Sequence, residues 1–150
     1  MRVDDIMTKG VSFCDPGTNA AAAAEIMWTR NCGSLPVVEN GGHVVGIVTD
    51  RDLFIALGTS NKRAAEVVIG EIMNRELSLC APGDDVRAAM KTMGQRKLQR
   101  LVAVDKDGRL KGILSIDDLV LQAGAGGLSN EDVIRTMKAV CERRTHTAAA

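Results

Sequence analysis

The sequence predicts an α+β fold of the α/β-sandwich type. It comprises two β-α-β-β-α units related by a pseudo-twofold axis, with one extra helix at the C-terminal end. Three observations predict it. First, a pattern of roughly fifty residues occurs twice, 66 positions apart and without a gap. Ile6-Met7 recurs at Ile72-Met73, Cys14 at Cys80, Pro16-Gly17 at Pro82-Gly83 and Met27 at Met93. Leu35 recurs at Leu101, Gly46-Ile47 at Gly112-Ile113 and Asp52-Leu53 at Asp118-Leu119. Second, each copy alternates short apolar strand-like runs with helix-forming stretches. Third, each copy closes on one strand-to-helix signature: Gly46-Ile47-Val48-Thr49-Asp50-Arg51-Asp52, then Gly112-Ile113-Leu114-Ser115-Ile116-Asp117-Asp118. A register kept across apolar, glycine and acidic positions alike means one supersecondary unit built twice. Such a pair packs about a pseudo-axis that creates paired clefts, where function is to be sought.

The elements follow in order. Val11 to Cys14 reads as a short strand, closed by the turn Asp15-Pro16-Gly17. Thr18 is placed to cap the next helix, which the run Ala20 to Ala24 favours and Ile26-Met27 extends as an apolar face towards Trp28. Ser34 to Val38 and His43 to Val48 are apolar strands, with Glu39-Asn40-Gly41-Gly42 as the hairpin signal between them. Pro36 demands an edge, or a position where no ladder donor is needed. A helix opens at Thr49 to Asp52 and runs through Leu53, Phe54 and Leu57.

The second copy restates this plan. Strands are expected at Leu77 to Cys80, Arg100 to Val104 and Leu110 to Ser115, with helices from about Asp84 to Arg96 and from Ile116 to Ala123. The methionines at 27, 90 and 93 fall on alanine-lined helical faces and belong in the core. The domain reading is therefore 1–57 for the first repeat, 58–68 for a polar and basic linker, 69–123 for the second repeat, and 124–150 for the remainder. That remainder is a Gly-rich break at Gly124 to Gly127, a helix capped by Ser129, and a frayed tail from Thr145. Val133, Ile134, Met137, Val140 and Cys141 make one apolar stripe, which must dock on the module or on a second subunit.

Composition excludes several classes of function. The 150 residues are 45% hydrophobic and 25% charged, an ordinary globular balance. The 19 basic and 19 acidic residues cancel, so no overall field attracts nucleic acid or an anionic membrane. Two Phe, one Trp and no Tyr are too few to stack single-stranded bases. No apolar run reaches a spanning length and no signal peptide opens the chain, so a cytoplasmic location is expected. Cys14, Cys32, Cys80 and Cys141 show no metal-ligand spacing, and no metal cofactor is expected. They read as small buried residues, or in the case of Cys14 and Cys80 as a symmetric thiol latch. No nucleophile-base pair and no P-loop is present, so no catalytic residue is assigned and the chain is read as a non-enzyme.

With Ile-Met ahead of the first strand and Leu-x-x-Val ahead of the hairpin, the doubled signature resembles a tandem pair of CBS domains, the Bateman module, over about residues 3 to 123. The resemblance implies two clefts for adenosine-containing ligands. It implies that Asp52 and Asp118 hold the ribose hydroxyls and that Thr49 and Ser115 contact phosphate or ribose. The chemistry agrees: a carboxylate accepts from both hydroxyls of a diol, and the N–H groups of a helix start favour an anion. Gly46 and Gly112 let a flat base approach backbone without a Cβ in the way. Arg51 and Arg100 are the phosphate candidates. Asp117, which stands where Arg51 stands in the first repeat, repels phosphate, so the two sites are expected to be chemically unequal.

Each candidate also has a plainer reading. Thr49-x-x-Asp52 and Ser115-x-x-Asp118 are acceptable helix caps, worth about 1 kcal/mol each without any ligand. Arg51 pairs equally well with Asp50 or Glu66, and Arg100 with a structural carboxylate. Two functions remain in competition. One is a regulatory sensor that binds AMP, ADP or ATP, with NAD or S-adenosylmethionine behind them, dimerises, and acts on an unidentified protein partner. The other is a ligand-free dimerisation scaffold in which the signatures only cap helices.

Overall fold

Both copies of the repeat are formed in the computed structural model, which describes residues 1–142. In chain order the elements are α1 (Val3–Ile6), β1 (Thr8–Lys9), α2 (Ala20–Arg30), β2 (Ser34–Val38), β3 (Val44–Thr49), α3 (Asp50–Thr59) and α4 (Ile69–Ile72). The second half adds β4 (Leu79–Cys80), α5 (Val86–Arg96), β5 (Arg100–Val104), β6 (Leu110–Ser115), α6 (Ile116–Leu121) and α7 (Asn130–Cys141). This mixed α+β architecture, with its C-terminal helix, is the one the repeat pattern predicts.

The chain forms two compact units, and they are not simply its two halves. The first-repeat unit holds Gly10–Leu77 and Val104–Gly112; the second-repeat unit holds Met1–Lys9, Ser78–Ala103 and, among the described residues, 113–142. The residues that open each repeat are therefore exchanged. Val3 and Met7, from α1 and its end, sit in a core with Val86, Met90, Met93, Leu101, Leu114 and Leu119. Their equivalents Ile69 and Met73 sit in the other core with Ala23, Met27, Leu35, Val37, Val48 and Leu53. Each core thus packs strands against a helix of Ala and Met, whose small side chains allow close approach, and against the helix that follows the last strand.

In the first-repeat unit β2 pairs antiparallel with β3, from Ser34↔Thr49 to Val38↔Val44, with a bulge between Val37 and Val38. Cys14 adds a single parallel bridge to Val37, donating its N–H to the Pro36 carbonyl and accepting from the Val38 N–H. Pro36 thus turns its missing donor towards a one-residue bridge rather than towards β3, which satisfies the proline rule. In the second-repeat unit the strand order is β1-β6-β5-β4, and β4 runs parallel to β5 through Leu79↔Val102 and Cys80↔Ala103.

Several local expectations need correction. The strand expected at Val11 to Cys14 shrinks to the Cys14 bridge. Asn19, not Thr18, caps α2, accepting from Ala22 N–H at 2.9 Å. Thr18 is committed elsewhere: its hydroxyl accepts from Asp15 N–H, and its carbonyl accepts from Ile69 N–H. The Asn-Gly hairpin becomes a 3₁₀ turn over Asn40–Gly42, with Gly41 and Gly42 at φ 83° and 89°, conformations that glycine alone adopts freely. Trp28 leaves the core altogether and is 88% exposed. Cys14 and Cys80 are buried as expected, while Cys141 is exposed and Cys32 is half-buried. The tail from Thr145 lies outside the described residues.

The C-terminal helix docks within the second-repeat unit. Leu128 and Val133 enter its core. Gly94 of α5 lies against α7, where a Cβ would stand 3.4 Å from the Ala139 Cβ, at the edge of ordinary contact. Lys97 pairs with Glu142 at 3.3 Å, and Arg87 donates to the Gly127 carbonyl at 2.8 Å.

Candidate functional site

Both signatures fold into the same local device. Thr49 and Ser115 have extended backbone and end a strand; the next residue begins a helix. In the first repeat the Thr49 N–H and hydroxyl both donate to Asp52 Oδ2, at 2.8 and 2.9 Å, and Asp52 N–H donates back to Thr49 Oγ1 at 3.2 Å. In the second, Ser115 N–H and hydroxyl donate to Asp118 Oδ2 at 2.7 and 2.6 Å, and Asp118 N–H donates to Ser115 Oγ at 3.2 Å. These are complete capping boxes, so the plainer reading of the motif is realised.

Capping does not use up the carboxylates. In both boxes the capping donors converge on Oδ2, and a carboxylate offers about four acceptor positions over its two oxygens. Asp52 Oδ1 accepts from no described residue. Asp118 Oδ1 accepts from the Thr8 hydroxyl of β1 at 3.2 Å, a weaker bond that leaves a lone pair. Both carboxylates are half-buried, enough to hold a fixed direction and still meet a ligand. The cap therefore orients the acid, and its second oxygen remains able to accept from a diol.

The remaining candidates divide. Arg51 is exposed; its backbone N–H donates to Asp50 Oδ1 at 2.8 Å, and its guanidinium has no described partner. The ion pairs considered for it with Asp50 or Glu66 are not formed. Arg100, half-buried at the start of β5, likewise has no described carboxylate partner. Gly46 is required by the protein itself: a Cβ there would meet Met73 Sδ at 2.6 Å and the Asn74 carbonyl at 3.1 Å. It allows the chain at Met73-Asn74 to pair with Ile47. Gly112 is buried within β6.

One element of the site was missed by the sequence reading. In the second-repeat unit a cavity of about 170 Å³ opens beside the capping box. Arg100, Ser115 and Asp117 line one side, and Met137, Val140 and Cys141 of α7 line the other. The apolar stripe on α7 marks a docking face, but nothing in its spacing says which pocket it borders.

Comparison with known proteins agrees with this geometry. The CBS domain family model matches residues 3–59 and again 69–123, so it covers both capping boxes and stops short of α7. The CBS domain-containing protein YhcV of Bacillus subtilis is 31% identical over 144 residues, covering 96% of this chain and 98% of its own. The CBS domain pair of protein MJ0100, solved with 5′-methylthioadenosine and S-adenosyl-L-methionine, superposes with a TM-score of 0.73 at 27% identity. That match covers 81% of this chain and 94% of MJ0100's. CBSX2, solved with AMP, superposes with a TM-score of 0.69 at 27% identity over 80% of this chain and 93% of its own. The twice-matched family model, a full-length relative and the doubled capping box together make this chain a member of the CBS-domain family, carrying two copies of the domain.

Proposed function

We propose that this protein is a regulatory module that binds adenosyl ligands at its two Thr/Ser-x-x-Asp boxes. The carrying observation is the uncommitted Oδ1 of Asp52, held in place by a cap that occupies only Oδ2. A ribose diol donates to that oxygen while the helix start accepts negative charge beside it. The adenosyl ligands of MJ0100 and the AMP of CBSX2 support this class of ligand. AMP, ADP and ATP are the first candidates, and NAD and S-adenosylmethionine follow.

Self-association fits the surface. Phe54 and Ile55 on α3 are exposed, and so are Val120 and Leu121 at the matching positions of α6. Apolar side chains at equivalent positions of a duplicated unit suit a homodimer, which repeats each contact by symmetry. The ligand then acts by changing what this module presents to a regulated protein partner. A cytoplasmic setting suits its four free cysteines.

A melting-temperature screen tests the ligand class. A nucleotide at a hundred times its dissociation constant stabilises by about 2.7 kcal/mol, a rise of roughly 5–11 °C for a chain of this size. No shift with AMP, ATP, NAD or S-adenosylmethionine would leave the boxes as caps alone and favour the scaffold reading.

A further inference from the structure

In the second-repeat unit β5 begins where β6 ends, and the Ile116 N–H ties the two by donating to the Gln99 carbonyl at 2.9 Å. This brings Arg100 and Asp117 to one space, the cavity of about 170 Å³ whose opposite wall is α7. Val133 in the core and the Lys97–Glu142 pair at 3.3 Å hold α7 in place there. Asp118, the acid assigned to the diol, does not line this cavity. It is a place for a different ligand, and it does not depend on the adenosyl reading.

Charge and size decide what fits. Arg100 is half-buried and Asp117 is exposed, and neither pairs with the other or with another described residue. A phosphate entering the space meets the guanidinium and a like charge together, and a lone amine meets the reverse. A molecule that carries both signs matches the lining best. Ser115 keeps one acceptor position for an ammonium, since its hydrogen goes to Asp118 Oδ2 and only one lone pair takes the Asp118 N–H. Beyond the charges, Ile116, Met137 and Val140 supply apolar wall. A cavity of roughly 150 Å³ holds benzene, so about 170 Å³ takes a compact solute and is too small for a nucleotide.

We propose that the cavity between α7 and the β5–β6 edge is a binding site for a free aliphatic α-amino acid, with leucine as the type. Its carboxylate meets Arg100, and its ammonium meets Asp117 and the open lone pair of Ser115 Oγ. Its side chain lies along Met137 and Val140 and leaves water. The first repeat has no counterpart, because Ser34 stands at the position of Arg100 and Arg51 at that of Asp117. α7 itself lies beyond both matched CBS segments, so the site belongs to what this chain adds to the domain pair.

Calorimetric titration of the full chain with leucine, without nucleotide, tests the assignment. Leucine should bind with a dissociation constant at or below about 1 mM. 4-Methylpentanoate lacks the ammonium and leucinamide lacks the carboxylate, and each should bind at least about tenfold more weakly. Asp117→Asn should remove the advantage of leucine over 4-methylpentanoate, and Arg100→Gln its advantage over leucinamide. Cys141 gives the location, because it lines the cavity and is exposed while Cys14 and Cys80 are buried. Leucine at ten times its dissociation constant should slow alkylation of Cys141 by N-ethylmaleimide about tenfold, followed by mass spectrometry. No heat and no protection of Cys141 at about 10 mM leucine would overturn the assignment. Equal binding of leucine and 4-methylpentanoate by the wild-type protein would overturn it too, as would leucine binding that leaves Cys141 as reactive as before. None of these outcomes bears on the adenosyl reading, which the melting screen with nucleotides tests separately.

Discussion

The Thr8 hydroxyl donates to Asp118 Oδ1 at 3.2 Å, whereas Asp52, the matching carboxylate of the first repeat, has no described donor on its own Oδ1. The two acids therefore do equal work as caps and unequal work otherwise. Asp52→Ala should cost about 1 kcal/mol, the loss of a cap, or roughly 2–4 °C in melting temperature. Asp118→Ala should cost up to about 1 kcal/mol more, because it also removes the acceptor of Thr8. Thr8→Val in the Asp118→Ala background should then add nothing. Equal melting temperatures for the two alanine variants would show that the Thr8 bond does not hold in solution.

Gly94 of α5 faces Ala139 of α7, and its repeat equivalent is the exposed Trp28. Gly94→Ala places its Cβ at ordinary contact distance from Ala139 and improves helix propensity, so it should be neutral or stabilise by up to about 1 kcal/mol. Gly94→Trp has no such room and should cost about 1–3 kcal/mol. Limited proteolysis should then cut within α7 of the tryptophan variant and leave the alanine variant intact. Cleavage at equal rates would mean that α7 is not held through this contact.

Gly46 sits where a Cβ would strike Met73 and the Asn74 carbonyl, so packing alone calls for a glycine there. Gly46→Ala drives a Cβ against Met73 and the Asn74 carbonyl, and should lose about 1–3 kcal/mol in denaturant unfolding. In a Met73→Ala background, itself destabilised by the lost core side chain, Gly46→Ala should cost less than in the wild type, since the sulfur clash is gone and the carbonyl clash remains. An unchanged midpoint for Gly46→Ala would return the glycine to the ligand.

Burial pushes the thiols of Cys14 and Cys80 up to about 11, with Asp15 and Asp84 adding to the effect. In the unfolded chain these thiols ionise near 9.0, so between that value and 11 the folded state holds protons that the unfolded state has released. Their contribution to stability is complete below pH 9 and is lost as the pH rises to 11. Denaturant midpoints should fall across that window, and a Cys14→Ala, Cys80→Ala variant should show a flatter profile. The chain has no Tyr, and its lysines are common to both proteins, so the difference between the variant and wild-type profiles isolates the thiols. Parallel profiles for the variant and the wild type would mean that these thiols do not drive the change.

Most of the fold was legible because the repeat supplies each element twice. Arg100–Val104 and Leu110–Ser115 have the bounds expected from their apolar runs. The capping boxes were readable as well, since Ser or Thr followed by Asp at the third position has a local cause. What escaped was non-local. A constant spacing says that Val3 and Ile69 are equivalent, yet it does not say that each packs in the core of the other repeat. Asn19 outcompeted Thr18 as a cap because Thr18 was needed for the turn and for Ile69. The α7 wall of the cavity was invisible for the same reason: helical periodicity gives a face but not the surface it meets.

Calorimetric titration with adenosine and with 2′,3′-dideoxyadenosine tests the central claim most directly, because the two differ only in the hydroxyls assigned to Asp52 and Asp118. Hydrogen bonds to a charged acceptor are worth about 1.5–3 kcal/mol each, so the dideoxy compound should bind at least roughly tenfold more weakly. The Asp52→Ala, Asp118→Ala double variant should no longer tell the two apart. Equal affinity of the wild-type protein for both nucleosides would contradict diol recognition by these carboxylates.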